Sequence, residues 1–230
     1  MFDAIASRYD LLNRVLSGGL DRRWRARAVK ALALSGRETV LDLCTGTADL
    51  ALAAMSATPP AKRVVGIDFA GAMLLVGKRK IRAAGCGASI ALARGDATML
   101  PLKDGSVDGV TIGFGIRNVE LPAVACREIA RVLRRNGTLV ILEFSTPRTA
   151  VVRNFYLWYF RHVLPLIGRL ISRHPSAYTY LPESVEAFPS PDAFVTQLRA
   201  AGFSSVKAVP LTLGVVYMFV ACRGDGSSPA

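Results

Sequence analysis

At 230 residues, the chain is long enough for one α/β domain with an appended lobe and too short for several domains. With 51% hydrophobic and 20% charged residues, global disorder is excluded, and four cysteines without a CxxC pair beside only two histidines argue against a zinc site or a disulfide framework. A net charge of +12 favours polyanionic partners, either nucleic acid or the anionic face of a membrane.

Asp3 and Arg8 interrupt the start, so no secretory leader is expected, and reduced thiols fit a cytoplasmic protein. From Asp21 to Ala33, Trp24, Ala28 and Leu32 alternate at helical spacing with Arg23, Arg27 and Lys30. Thr39–Leu43 reads as a short buried strand and Ala48–Met55 as the start of a helix. Arg63–Phe69 is a second strand with an acid near its end, and Gly71–Ala84 a helix. Ser89–Ala93 is a third strand, "VDGVTIGFG" a fourth, Pro122–Leu133 a helix and "GTLVILEF" a fifth strand. Thr149–Ser172 reads as one long helix bent near Pro165 and Gly168. It is too short and too charged to span a bilayer, carrying Arg161, His162 and Arg169. After a helix at Pro191–Ala201, "FSSVKAVPL" and "GVVYMFVACR" form a closing hairpin.

Strand–helix alternation demands a mostly parallel sheet with right-handed crossovers and helices on both faces. The closing hairpin adds an antiparallel edge. One domain, residues 1–222, is expected, with a helical lid at 1–35, an inserted amphipathic helix and substrate loop at 149–190, and a disordered tail at 223–230.

In such a sheet, ligands sit beyond the carboxyl ends of the strands. The first end carries "TGTAD", where Gly46 lets a ligand approach the backbone. The second ends in Asp68, 21 residues after Thr47, placed to accept both hydroxyls of a ribose. At the third, Asp96 and the Ala97 backbone can meet an adenine edge, with Met99 or Leu100 against the ring. Each acid alone reads equally well as a solvated strand end; three such strand ends in succession read as a nucleoside site.

A phosphate loop would need Gly-Lys-Ser/Thr, and a dinucleotide site the full G-x-G-x-x-G. Here Ala48 stands where a further glycine belongs, and Asp49 near the helix start repels a pyrophosphate and attracts an ammonium. S-adenosylmethionine has an adenine, a ribose and an amino-acid end, and no phosphate. It is the cofactor that this chemistry prefers.

The segments "VLDLCTGTADLA", "VVGIDFAGAML", "GDATMLPLKDGSVDGVTIGFGIRNV", "REIARVLRRNGTLVILEFSTP", "AYTYLPESVEAFP" and "AGFSSV", after the opening "FDAIASRYDLLNRVLSGGLDRRWR", resemble the menaquinone/ubiquinone-biosynthesis C-methyltransferase family. "FGIRNV" followed by "LEFS" and "AYTYLPESVEAFP" is the specific part. The resemblance implies a class I methyltransferase (Rossmann-like) seven-stranded sheet. It also implies carbon methylation of a prenylated quinol, usually demethylmenaquinol to menaquinol, and cofactor contacts at Thr47, Asp68, Asp96 and Ala97. The ubiquinone precursor is the alternative substrate. Where this chain has Gly113, the family often has a serine, so only a backbone contact is expected there. "RRNGT" replaces the usual "PGG" before strand five.

A quinol carbon becomes nucleophilic when a neighbouring hydroxyl loses its proton. "GIRNV" sets Arg117 and Asn118 just past strand four. Arg117 stays protonated and is suited to lowering the quinol pKa, and Asn118 to binding the other ring oxygen. Its bland alternative is a surface arginine at a helix start. Tyr9, Asp10 and Asn13, and Tyr178 and Tyr180, belong to segments suited to a water-excluding lid. His162 and His174 read as solvent or interface residues. Arg148, Arg153, Arg161, Arg169 and Arg173, interleaved with aromatic residues, suit anionic lipid, a solvated helix face, or a homo-oligomer contact. A nucleic-acid methyltransferase is the rival raised by the charge, but the Asn/Asp-Pro-Pro-aromatic motif common after strand four is replaced by "FGIRNV". No metal and no nucleic acid are expected.

Overall fold

The computed structural model describes residues 6, 9–159, 162 and 176–224. Seven strands form one sheet in the order β3-β2-β1-β4-β5-β7-β6. They are β1 (Thr39–Leu43), β2 (Arg63–Asp68), β3 (Ile90–Arg94), β4 (Val107–Gly113), β5 (Leu133–Phe144), β6 (Phe203–Leu211) and β7 (Val216–Arg223). The first five pair in parallel. The last strand runs antiparallel to both of its neighbours, β5 and β6. The hairpin thus lies at the edge as expected, with its second strand inserted and its first strand outermost.

The helices are α1 (Tyr9–Leu16), α2 (Leu20–Ala31), α3 (Asp49–Met55), α4 (Gly71–Ala83), α5 (Pro122–Val132), α6 (Ala150–Trp158), α7 (Ser176–Ala187) and α8 (Pro191–Ala200). Side chains alternate along the strands and build a core on each face. Leu41, Leu43, Leu139 and Ile141 pack with Ile129 of α5 and Phe194 and Leu198 of α8. Val40, Val140 and Leu142 point the other way, onto Trp24 and Ala28 of α2, Ala51 of α3 and Ile81 of α4.

Three boundaries differ from the sequence reading. The fifth strand starts at Leu133, before "RRNGT", and Asn136 within it has φ 59°. A Cβ at Gly137 would lie 2.7 Å from Leu133 Cγ and 2.8 Å from the Arg134 carbonyl, so this irregular stretch needs glycine. Arg223 belongs to β7 rather than the tail, its guanidinium donating to the Arg131 carbonyl at 3.0 Å. Residues 176–187 are helical, not a loop. The described part of the long helix is α6; its predicted bend, His174 and the tail from 225 onward lie outside the described residues. No helix among the described residues is long and apolar enough to cross a membrane.

Candidate functional site

From β1 the sheet grows towards β2 on one side and β4 on the other, which opens a crevice at their carboxyl ends. Backbone conformation there is unusual. Cys44 (φ 54°), Ala48 (φ 66°) and Phe114 (φ 59°) occupy the left-handed region without being glycine. The turn between β1 and α3 is held from below by Asp42. This buried acid accepts from Thr45 Oγ1 at 2.5 Å, Thr111 Oγ1 at 2.9 Å and the Ala51 amide at 3.1 Å. Burial pushes its carboxyl up to about 6, against the pull of those hydrogen bonds. Cys44 packs against Gly115, and burial pushes its thiol up, so it is a packing residue.

Asp68 is fixed at the end of β2 by the Gly46 amide at 2.7 Å and the Ala70 amide at 2.8 Å. These bonds tie the acid to the Gly46 turn and preorganise it for a diol. Asp96 accepts from the Thr98 amide and hydroxyl at 2.8 and 2.7 Å, which holds its carboxyl below the usual range. Beside these acids, Phe69 and Met99 are 69% and 77% exposed, as apolar walls of a slot for a flat ring would be. Leu100, the other candidate for that wall, is buried and accounted for by the core. At Gly113, a Cβ would lie 2.7 Å from Leu50 Cδ1, so Leu50 fills the space of the family's serine.

Asp49 and the Thr47 hydroxyl both bond to neighbouring side chains. Asp49 does not face an ammonium: Arg25 and Lys80 both pair with its carboxylate. The Thr47 hydroxyl donates to Asp10 at 2.5 Å and accepts from Lys80 at 3.1 Å, so this side chain anchors α1 and leaves the backbone to a ligand. Lys80 also binds Asp10 at 2.6 Å, and Arg25 pairs with Asp21. The first helix is thereby fastened across the cofactor turn. With two acids at the strand ends and the nearby cations Arg25 and Lys80 already paired, the donor set fits a nucleoside without a phosphate.

Arg117 and Asn118 lie in a 3-10 turn, Ile116–Asn118, after β4. Arg117 is no surface arginine. Its side chain is 6% exposed and pairs at 2.6 Å with Glu143, which is 0% exposed. The guanidinium also donates to the Phe114 carbonyl at 2.6 Å and to Ser184 of α7 at 3.3 Å, and it lies 5.5 Å from the centre of the Phe144 ring. Glu143 accepts further from the Arg117 amide at 3.2 Å and the Phe144 amide at 2.9 Å. Asn118 is anchored at 3.4 Å to the Phe114 carbonyl. Tyr9, bonded to Asn13, feels both Arg117 and Asp68, and burial pushes its hydroxyl up. Arg117, Asn118, Tyr9 and the strand-end acids therefore gather at one end of the sheet. Tyr178 and Tyr180 fall on α7, and their side chains lie outside the described residues. His162 is exposed and stacks on Trp158.

Asp42, Glu143 and Tyr156 were missed. The first two left a signal, a lone acid inside an apolar strand, which survives burial only with dedicated partners. Tyr156, whose buried hydroxyl is pushed up near Arg117 and Glu143, left none among so many aromatic residues.

A model of the ubiE/COQ5 methyltransferase family matches residues 1–223. The chain belongs to that family. It is 48% identical over 223 residues to a demethylmenaquinone methyltransferase from Thermus thermophilus, covering 97% of this chain and 100% of the relative. A second protein of that name, from Deinococcus radiodurans, is 46% identical over 96% of this chain and 90% of its own length. A ubiquinone/menaquinone biosynthesis C-methyltransferase from Geotalea uraniireducens is 44% identical over 96% and 93%. The fold matches a structure described as an S-adenosylmethionine-dependent methyltransferase from Methanococcus maripaludis, with TM-score 0.73 at 16% identity, covering 100% and 97%. It also matches the [4+2]-cyclase SpnF, with TM-score 0.69 at 18% identity, covering 98% and 94%. That fold alone therefore does not fix the chemistry. Family membership does, and S-adenosylmethionine is the methyl donor of this enzyme.

Proposed function

We propose that the enzyme methylates a ring carbon of a prenylated quinol, converting demethylmenaquinol to menaquinol. The observation that carries this reading is the buried Arg117–Glu143 pair, set with Tyr9 and Asn118 beside the nucleoside-binding strand ends. The identity to two demethylmenaquinone methyltransferases over nearly their whole length supports it.

In the proposed site, Gly46, Thr47 and Gly113 present backbone, Asp68 binds the ribose hydroxyls, and Asp96 with the Ala97 amide binds the adenine. The bound cofactor supplies a sulfonium methyl group open to in-line displacement. The protein must hold the ring carbon in line and favour the phenolate. Arg117 remains a cation throughout. Pinned by Glu143, Phe114 and Ser184, it offers a fixed donor to the developing ring oxyanion. Tyr9, whose raised pKa keeps it neutral, can donate to a ring oxygen, as can the Asn118 amide. The ring carbon takes the methyl as its bond to sulfur breaks, leaving a neutral thioether, and the hydrogen that it gives up passes to solvent as a proton. The lid formed by α1, with the segment containing Tyr178, keeps water from the cofactor.

The name of the Geotalea relative supports a second reading, in which the benzoquinol precursor of ubiquinone is methylated instead or in addition. Expression in a bacterial strain lacking its quinone C-methyltransferase, followed by mass analysis of extracted quinones, tests both. Restored menaquinone supports the first reading and restored ubiquinone alone the second; demethylated quinones of both kinds would refute the assignment. We place the enzyme in the cytoplasm, peripheral on the inner face of the membrane, because its substrate resides in the bilayer. Lipid, not nucleic acid, is the polyanion that its charge serves.

A further inference from the structure

Among the described residues, the exposed large apolar side chains all lie towards one end of the sheet, the carboxyl end that holds the site. Phe69 and Met99 belong to the cofactor slot. The others are Leu11 and Val15 on α1, Leu75 in the second turn of α4, Leu121 before α5, Val151 and Trp158 on α6, and Leu213 in the turn after β6. The loops at the opposite end expose none. One-sided exposure of this kind marks a surface that meets another apolar phase.

The charge on the α1–α4 side of this end completes the picture. Among the described residues, the acids of α1, α2 and α3, Asp10, Asp21 and Asp49, are all consumed by Arg25 and Lys80. The exposed Arg14 between Leu11 and Val15, Arg22 at the start of α2, and Lys78, Arg79 and Arg82 beyond Leu75 have no carboxylate partner among the described residues. The internal ion pairs neutralise the acids and leave a surface of uncompensated cations with aliphatic side chains between them.

We infer that this face, formed by α1 and the outer side of α4, docks on an anionic bilayer surface with Leu11, Val15 and Leu75 entering the headgroup region. Cations bind the lipid phosphates, and the aliphatic groups leave water. A phosphodiester chain would satisfy the cations and leave Leu11, Val15 and Leu75 wet, so lipid is the better complement. Docked this way, the mouth of the site opens onto the membrane, and a quinol headgroup enters without its prenyl chain crossing water. That purpose rests on the quinol reading, whereas the docking itself is measurable without substrate.

The test is flotation of the full chain with vesicles of phosphatidylcholine alone, or of phosphatidylcholine containing one-third phosphatidylglycerol. Wild type should float with the anionic vesicles only, and less so in high salt. Each cation removed should weaken partition about five-fold, so Arg14→Gln/Lys78→Gln/Arg79→Gln should lose on the order of 100-fold. Val15→Glu/Leu75→Glu should also lose binding. Both variants should keep the far-UV circular dichroism spectrum and the urea midpoint of wild type, which shows that they fold. Failure of wild type to float, or equal flotation of wild type and the triple variant, overturns the proposal. So does retention on RNA without vesicle binding, which would assign the face to nucleic acid. Vesicle binding that follows the predicted variant order, without methylation of any quinol by wild type, upholds the docking and refutes the substrate reading alone.

Discussion

Glutamine in place of Glu143 keeps the shape of the side chain and removes the charge that faces Arg117. With 6% and 0% exposure, neither partner can turn to water for relief. Removing one side of a buried pair leaves an uncompensated charge, and typically costs about 3–5 kcal/mol. That is a large part of a total stability of about 5–15 kcal/mol. Glu143→Gln and Arg117→Met should therefore each shift the urea midpoint down by about 1–2 M, for a slope of about 2–3 kcal/mol per M. The double variant removes both charges, so its cost should fall short of the sum of the single costs by at least about 2 kcal/mol. Urea unfolding followed by far-UV circular dichroism measures all three. Additive costs, or a Glu143→Gln variant within about 0.5 kcal/mol of wild type, would show that the two charges are not coupled and that Arg117 is held by its other contacts. The same reasoning governs the kinetics. Arg117→Lys, which keeps the charge and loses the fork, should lower turnover much more than cofactor affinity.

Asp68→Ala should weaken S-adenosylmethionine binding about 100-fold or more, because charge-assisted bonds to the ribose and the brace on the Gly46 turn vanish together; unchanged affinity by calorimetry would contradict the cofactor assignment. Asp42 loses its proton near 3.8 when unfolded and near about 6 when folded. Between those values the folded state binds the extra proton, so stability falls as pH rises through that window, by about 3 kcal/mol in all, and is flat above it. Asp42→Asn should abolish this slope in denaturation measured from pH 4 to 7, and an identical slope would refute it. Cys44 and Cys126, whose thiols burial pushes up, should resist alkylation in the native protein and react after unfolding, as mass spectrometry of the labelled chain would show.

Local chemistry was legible in the sequence and long-range pairing was not. Thr39–Leu43 announces itself as an apolar run that leads into the small-residue turn at Gly46, and the next strand as one that stops at Asp68, so their order located the crevice. Asp49 shows the limit. Its position near a helix start was evident, yet its partner Lys80 lies 31 residues away on a helix whose orientation only the fold supplies. Arg117 shows a second limit, because burial is set by what packs around it, here Glu143 from β5 and Ser184 from α7. Left-handed conformations at Cys44 and Phe114 gave no warning either, since neither residue type favours them.

The place of the last strand bears on how the protein is made. Because β7 sits between β5 and β6, the sheet has a gap next to its outermost strand until residues 216–223 exist. The indole of Trp24, near the beginning, likewise waits for the hydroxyl of Thr212, 2.9 Å away and 188 residues later. A ribosome emitting this chain from its N-terminus must release nearly all of it before the domain can close. Until then β5 presents an unpaired edge, and a nascent chain halted a few residues early would leave the tunnel with that edge open to the wrong neighbour.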